Sequence, residues 1–370
     1  MTFFNFDRRM LRNMDWLLLL CVLILIVLSV FMVYSASYSL PSGNYMRTQL
    51  IAIAISIAGC LVASVFDYSY LQRFDKAIYV IMLLALAAVF VIGREGDYGG
   101  KSWIDLGPLS FQPAELAKVL LVLFLSVMLD RHEVIESIWP IVKVLICMAI
   151  PVVLILMQPD LGSATVFVVF TAALLFIYGV PTRYLLSLVG ITLVAFPFLW
   201  LYGLEEYQRE RMLIFMDLEA HSDSEFAWQI IQSVIATGSG GMYGRGYLQG
   251  TQTQLSFLPE SQSDFIFSTI AEELGFVGGA FVIIVYLLMV WRILSIARTS
   301  KDRLGQLLCV GIAAIFLYHL LINIGMAIGV MPVIGIPLPL VSYANSSLIS
   351  MMLGLGVVVS VALRRAKTIF

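Results

Sequence analysis

The sequence predicts an all-α integral membrane protein with about ten transmembrane helices, from its composition and from the spacing of its apolar segments. Of the 370 residues, 61% are hydrophobic and only 12% are charged, and the mean hydropathy is +0.96. A soluble domain carries roughly 25% charged residues because its surface faces water. Lipid is therefore the expected solvent. The formal net charge of −2 argues against a nucleic-acid partner.

Ten apolar segments follow one another along the chain, and each has about the length of a span, which needs about 20 residues. They cover 16–34, 48–66, 77–93, 114–129, 140–157, 161–178, 184–203, 265–291, 306–329 and 346–363. The first segment leads into Ser35-Ala36-Ser37, which resembles a signal-peptide cleavage site. Its length and the spans that follow favour an uncleaved first helix.

The basic residues indicate the orientation. With the N-terminus in the cytoplasm, the outer side receives only seven of the 22 lysines and arginines: Arg47, Arg94, Lys101, Lys118, Arg209, Arg211 and Arg245. Positive charge accumulates on cytoplasmic loops, so both termini are predicted to be cytoplasmic. We expect a single domain over 1–370, in which about 204–264 form one large extracytoplasmic loop. Its aromatic residues predict an ordered loop.

Asp264 is the sharpest candidate for chemistry. It stands where the large loop enters the eighth apolar segment, which continues to about Trp291. A continuous helix of that length spans roughly 40 Å, more than a hydrocarbon core of about 30 Å. The first turns should therefore lie in the outer interface or in a cavity, where a carboxylate meets water and lipid headgroups. The alternative is a helix cap, a position that Asp favours.

Three further charged residues flank outer turns. Glu115 and Lys118 follow Gln112-Pro113, which predicts a helix start, and their i, i+3 spacing places them on one face. They either line an outer cavity or form a structural ion pair. Asp160 lies in the tight turn between the fifth and sixth spans, where the alternative is a turn or cap residue.

Arg47, Arg209 and Arg211 are basic residues on the outer face, and guanidinium groups suit phosphate. The alternative for each is an interaction with lipid headgroups. No metal site is predicted, because the three histidines are scattered and the four cysteines lie in apolar runs without paired spacing. Pro332, Pro337 and Pro339 predict an irregular segment before the last span.

Several strings resemble the SEDS family of bacterial cell-wall polymerases, in that family's order along nearly the whole chain. They are Lys-Ser-Trp-Ile-Asp-Leu-Gly (101–107), Phe-Gln-Pro-Ala-Glu-Leu-Ala-Lys (111–118), Gln-Pro-Asp-Leu-Gly (158–162), Phe-Leu-Pro-Glu-Ser-Gln-Ser-Asp-Phe-Ile-Phe (257–267), Ala-Glu-Glu-Leu-Gly (271–275) and Gly-Ile-Pro-Leu-Pro-Leu-Val-Ser-Tyr (335–343). The short tails and the string Tyr-Gln-Arg-Glu-Arg are more similar to the elongation branch, RodA, than to the division branch. The chain departs from the family at Gln262-Ser263, usually His-Thr, and at Ala344-Asn345, usually Gly-Gly.

The resemblance implies a peptidoglycan glycosyltransferase that polymerises lipid II on the outer leaflet. Asp264 then matches the family's catalytic carboxylate and would act as general base on the acceptor 4-hydroxyl. Arg47, Arg209, Arg211 and Lys118 would hold the undecaprenyl diphosphate, Glu115 would position Lys118, and Trp103 would contact sugar or lipid. No cofactor is certain, although a divalent cation could share the charge.

The implied partners are lipid II, the growing lipid-linked glycan, a class B penicillin-binding protein (a transpeptidase), other proteins of the elongation complex and membrane lipid. Two other functions remain open: a transporter that flips lipid II, and a non-catalytic scaffold for cell-wall assembly. The polar residues gather on one face and in one loop, without an internal repeat. That arrangement favours the enzyme.

Overall fold

The computed structural model describes residues 13–40, 44–95, 100–107, 109–131, 139–184, 199–218 and 223–365, with the isolated positions 186, 190, 194, 197 and 221 between them. Most of this chain is helical. The long helices are α1 Trp16–Ser37, α2 Tyr45–Val65, α3 Leu71–Ile92, α4 Pro113–Asp130, α5 Trp139–Leu156 and α6 Leu161–Tyr178. The shorter helices α7 Glu206–Met216, α8 Glu225–Ser239 and α9 Thr251–Gln254 follow, and then α10 Ile266–Arg298, α11 Arg303–Ala327 and α12 Asn345–Arg364.

The all-α membrane fold predicted from the sequence is confirmed. Eight helices of the described residues are long and apolar enough to cross a membrane. Every predicted apolar segment except 184–203 coincides with a described helix, and 184–203 falls largely outside the described residues. α4 is an 18-residue helix of similar length, but it carries Glu115, Lys118 and Asp130.

Helices α11 and α12 form the centre of the bundle. In their most apolar stretches, 72% of the α11 residues and 83% of the α12 residues are buried. Small residues bring α12 and α2 close together, since a Cβ on Gly356 would lie 2.5 Å from the Cys60 carbonyl oxygen. Helix packing in lipid depends on such close approach, because no hydrophobic force drives helices together there.

The two described ends of the chain lie at the same end of the bundle. Asn13 Nδ2 donates hydrogen bonds of 3.3 Å to the carbonyl oxygens of Leu363 and Arg365. Ion pairs gather at this end: Asp15 with Arg292, Asp75 with Arg131, and Asp67 with Arg364. This placement agrees with the prediction that both termini face one compartment.

A small antiparallel sheet follows α3 at the opposite end. Its strands are β1 Arg94–Glu95, β2 Lys101–Leu106 and β3 Leu109–Phe111, in that order. Ile104 pairs with Phe111 across β2 and β3. The sequence predicts that residues 94–113, between the third and fourth apolar segments, form a loop on the outer side without strands. Strands this short carry a weak signal, and they are stabilised by pairing with each other and by packing on α3 and α4.

The large outer loop is built around α7, α8 and α9. Its segment 240–246 packs into a break in α10 at Gly275, which has φ 69° and ψ −167°. The amides of Phe276 and Val277 donate to the carbonyls of Gly241 and Met242, and Arg245 N donates to Glu272 O. The prediction of one continuous helix to about Trp291 is therefore wrong. The loop backbone supplies hydrogen bonds that a continuous helix would have made internally.

Candidate active site

A polar cavity of about 660 Å³ lies at the end of the bundle opposite the chain termini. The starts of α4, α6 and α12, the β2 and β3 strands, α7 and the segments that precede α10 and α12 surround it. Its lining includes four carboxylates, Glu115, Asp160, Glu260 and Asp264, and two guanidinium groups, Arg94 and Arg211.

Asp264 lies on the wall of this cavity, and its backbone is held from two sides. Asn323 Nδ2 of α11 donates to Asp264 O at 2.8 Å and to Ile336 O at 2.9 Å. Ser342 Oγ donates to Ser263 O at 2.7 Å. The irregular segment 331–344, which the prolines predict, thus fixes the 262–264 segment. The cap residue of α10 is Phe265, with no side-chain cap, so the alternative of Asp264 as a helix cap is wrong.

Burial is the main cause that raises the pKa of Asp264 to about 7, and the negative charge of Glu260 is the second. Arg211 lowers this pKa in part, and Asp160 raises it further. A carboxyl group with a pKa near 7 is partly ionised at neutral pH and accepts a proton more readily than an ordinary carboxylate does. These are the properties of a general base at physiological pH.

Glu115 and Lys118 form a buried ion pair of 2.6 Å on α4. Glu115 lines the cavity, and Lys118 lies behind it with 1% of its surface exposed. Lys118 Nζ also lies 3.4 Å from His319 Nε2, and His319 Nδ1 lies 3.0 Å from Pro337 O. His319 of α11 therefore links the predicted ion pair to the segment that contains Pro337 and supports the Asp264 backbone.

Asp160 caps α6 and also lines the cavity. Its Oδ1 accepts from Ser163 N at 2.8 Å, and its Oδ2 accepts from Gln112 Nε2 at 2.8 Å. Burial raises its pKa, whereas the Ser163 hydrogen bonds and the Lys118 charge lower it. Beside it, Tyr207 Oη and Gln208 Nε2 of α7 both donate to Pro159 O. The cap alternative is correct, and the same side chain also faces the cavity.

The other candidates divide between the cavity and its surroundings. Arg211 lines the cavity, with its guanidinium 4.6 Å from the Phe226 ring centre, and Trp103 of β2 lines it as well. Arg209 is outside the lining and donates to Leu204 O at 2.8 Å. Arg47 is exposed on the first turn of α2, also outside the lining.

Sequence reasoning missed Glu260 and His319. Glu260 stands four residues before Asp264 in a string that was already singled out, and its φ of 50° turns the chain there. The three histidines are scattered along the sequence, so no sequence pattern points to His319. Only tertiary contact brings it to Lys118. Within the described ranges, no three His, Cys, Asp or Glu side chains are grouped as a metal site.

Comparisons with known proteins agree with this architecture. The family model described as FTSW_RODA_SPOVE, cell cycle protein, matches residues 15–367. The chain is 36% identical to peptidoglycan glycosyltransferase MrdB of Escherichia coli (strain K12), over 95% of this chain and 94% of that protein.

Two solved structures share the fold. One is a chain of a peptidoglycan synthase complex that coordinates polymerization and crosslinking, with a TM-score of 0.80, 30% identity and coverage of 94% of this chain and 97% of that one. The other is the rod shape determining protein RodA of Thermus thermophilus, with a TM-score of 0.72, 30% identity and coverage of 96% and 98%. The chain therefore belongs to the FtsW, RodA and SpoVE family, the SEDS family, as a RodA-like member.

Proposed function

We propose that this chain is a peptidoglycan glycosyltransferase that polymerises lipid II at the outer face of the bacterial cytoplasmic membrane during cell elongation. The observation that carries the mechanism is Asp264 in a polar cavity with a pKa of about 7. The relatives whose names state this activity support the general function.

In the proposed step, the acceptor 4-hydroxyl gives its proton to the Asp264 carboxylate as its oxygen attacks the donor's anomeric carbon. The bond from that carbon to the diphosphate oxygen breaks, and its electron pair leaves with the undecaprenyl diphosphate. Configuration at the anomeric carbon inverts. Base catalysis of this kind contributes typically 10² to 10⁴-fold to a rate.

Arg211 is the best-placed group for the leaving diphosphate, because it faces the cavity from α7. A fixed cation aimed at developing negative charge stabilises the transition state. Arg94 lies at the same cavity, whereas Lys118 is committed to Glu115. Arg47 and Arg209 remain proposed contacts for headgroups beyond the cavity.

An apolar groove next to the cavity supports the proposal that a polyprenyl chain binds there. It has a volume of about 510 Å³ and shares Met212 with the cavity lining. Leu213, Phe215 and Met216 of α7 also line it. One helix thus presents a cation to the cavity and apolar side chains to the groove, which matches a substrate with a charged head and a lipid tail.

A class B penicillin-binding protein is the proposed partner, together with other proteins of the elongation complex. A chain similar to this one forms part of a complex that coordinates polymerization with crosslinking. A transpeptidase would use the glycan that leaves the cavity.

The test is polymerisation of purified lipid II in detergent, with the partner added. Wild-type protein should make glycan strands, and Asp264→Asn and Asp264→Ala should make none while remaining folded. Asp223→Asn, an exposed change on the same outer loop, should retain activity. A flippase or a scaffold would produce no polymer where no membrane is present. Near-normal polymer from either Asp264 variant would refute the base assignment.

A further inference from the structure

Two tyrosines, Tyr45 and Tyr343, form an aromatic pair on the wall of the polar cavity. Tyr45 is the first residue of α2, and Tyr343 lies in the irregular segment 331–344. Their ring centres are 5.0 Å apart and the ring planes meet at 74°, so the edge of one ring points at the face of the other. Both residues are half-buried and line the cavity, so the pair is a surface that a ligand can contact.

The backbone of Tyr343 is bonded to the segment that leads into Asp264. Tyr343 N donates to Gln262 O at 2.8 Å, and Ser342 Oγ donates to Ser263 O at 2.7 Å. Two successive residues are thus bonded to the two residues that precede the proposed base. The edge-to-face contact with its aromatic partner restrains the Tyr343 ring in turn, because such pairs are attractive. The pair is therefore held in a fixed place near Asp264.

The pair adds an aromatic surface to a group of charged side chains. Glu260, Asp160 and Arg211 all act on Asp264 through their charges. Charged groups bind hydroxyl groups and phosphates, whereas the face of an aromatic ring is apolar and carries partial negative charge. A sugar ring is complementary to both, because its hydroxyl groups lie at its edge and its C–H bonds, with partial positive charge, lie on its faces. An aromatic side chain beside polar groups therefore suits a sugar.

The position of Tyr343 indicates which sugar it would contact. In the proposed reaction the acceptor 4-hydroxyl gives its proton to Asp264, so the acceptor sugar must come within hydrogen-bond distance of this carboxylate. The donor's diphosphate is expected at Arg211 on α7. Tyr343 is bonded to the segment of Asp264 and not to α7, so its ring is placed for the acceptor.

We propose that Tyr343 binds the acceptor sugar through contact between its ring and the C–H face of that sugar, with Tyr45 as a positioning residue. This inference rests on the proposed glycosyltransferase function and adds an acceptor subsite to it. The contact directs the reacting 4-hydroxyl toward Asp264. Neither tyrosine transfers a proton.

The test measures acceptor and donor separately. A lipid II analogue with its terminal 4-hydroxyl capped can donate but cannot accept. Counting only products that carry the cap gives an apparent KM for lipid II as acceptor and another for the analogue as donor. Tyr343→Leu, which removes the ring, should raise the acceptor KM roughly 2- to 10-fold and leave the donor KM unchanged. Tyr343→Phe, which keeps the ring, should keep the wild-type acceptor KM.

Tyr38→Leu is the matched control. Tyr34 and Tyr38, at the end of α1, form a similar edge-to-face pair with ring centres 5.8 Å apart, and neither lines the cavity. This variant should keep both KM values. Tyr45→Leu should raise the acceptor KM less than Tyr343→Leu does. It should add nothing in the Tyr343→Leu background, because it acts through that ring.

An unchanged acceptor KM in Tyr343→Leu, or an equal rise in Tyr343→Leu and Tyr343→Phe, would overturn the contact between ring and sugar. Equal rises in the acceptor and donor KM would assign the tyrosine to packing and overturn it as well. A smaller amount of folded protein lowers the rate but not the KM, so a destabilised variant still gives an answer. In these cases wild-type protein still makes polymer. Failure of wild-type protein to polymerise lipid II would instead refute the proposed function.

Discussion

At the scale of single residues, the protonation of Asp264, the proposed base, links the expected activity to stability. Burial and the charges of Glu260 and Asp160 favour the protonated form of Asp264 in the folded protein. The proposed base must be ionised to accept a proton. With a pKa of about 7, the protonated and ionised forms of Asp264 are both populated near neutral pH. Among the causes that raise the pKa of Asp264, the charge of Glu260 comes from an exposed side chain, so one substitution can remove it.

We expect the polymerisation rate to rise with pH through about 7, the pKa of Asp264, and then to level off. Glu260→Gln removes a negative charge, so the pKa of Asp264 should fall and the acidic limb of the profile should move to lower pH. Glu206→Gln, an exposed change on α7 outside the cavity, should leave the limb in place. Measuring rate against pH for the three proteins checks this, and an unmoved limb in Glu260→Gln would contradict it.

The same pKa makes a prediction about folding. The pKa of Asp264 is raised from an ordinary value of 3.8 to about 7, so the folded protein binds this proton more tightly than the unfolded chain. Its ionisation therefore lowers the free energy of unfolding as pH rises from about 4 to 7. Asp264→Asn should unfold at a higher temperature than wild type at pH 8, and the difference should shrink toward pH 4. A constant difference across this range would argue against a raised pKa.

Substitutions of His319 can show which of its two contacts matters, the one with Lys118 of the Glu115–Lys118 ion pair or the one with Pro337 in the 331–344 segment. The Pro337 carbonyl only accepts and the Lys118 amine donates, so Nδ1 carries the hydrogen. His319→Asn keeps a donor near Nδ1, and His319→Gln keeps a polar group near Nε2. Because the Pro337 contact supports the segment that fixes Asp264, we expect Asn to retain more kcat than Gln, by roughly fivefold for one hydrogen bond. Equal losses in both would assign His319 to packing alone.

At the scale of elements, the break at Gly275 separates the first turns of α10, which directly follow Asp264, from the rest of this candidate membrane span. The Gly275 backbone lies in a region that only glycine adopts readily, and a Cβ there would lie 2.3 Å from Gly244 N. Gly275→Ala should therefore lower the free energy of unfolding by about 1 to 3 kcal/mol. Thermal unfolding in detergent measures this. Gly238→Ala is the matched control, because a Cβ there has open space inside α8 and Ala suits a helix. Equal midpoints for both variants would contradict a strained break.

The elements that could be predicted from sequence are those with a strong local signal. Long apolar runs predicted α1 to α6 and α10 to α12 to within a few residues, except at the start of α3 and the end of α10, and the three prolines predicted the irregular segment 331–344. The break at Gly275 could not be predicted, since its cause is a loop about thirty residues earlier in the chain. Likewise, i, i+3 spacing predicted the Glu115 and Lys118 pair, whereas the contact with His319 depends on how α4 packs on α11.

At the scale of the whole molecule, charge is distributed by end. Ion pairs between helices collect where the chain begins and ends, and the carboxylate-rich cavity lies at the other end. α12 connects the two, with Ser347 at the cavity and Arg364 near Asp67. Basic residues favour the cytoplasm, so we expect the cavity on the outer side, where the proposed substrate lipid II would present its headgroup.

Cysteine labelling tests that polarity directly. Tyr243, which is 83% exposed, lies on the loop that packs at Gly275, and Lys301 is exposed between α10 and α11 near the charged end. A membrane-impermeant maleimide should label Tyr243→Cys in intact spheroplasts and Lys301→Cys only after permeabilisation. The four native cysteines are buried or half-buried within helices, so the parent chain should stay unlabelled and serve as the control. Labelling of Lys301→Cys in intact spheroplasts would show that the molecule has the opposite orientation in the membrane. The cavity would then face the cytoplasm, and polymerisation at the outer leaflet would be impossible for this chain.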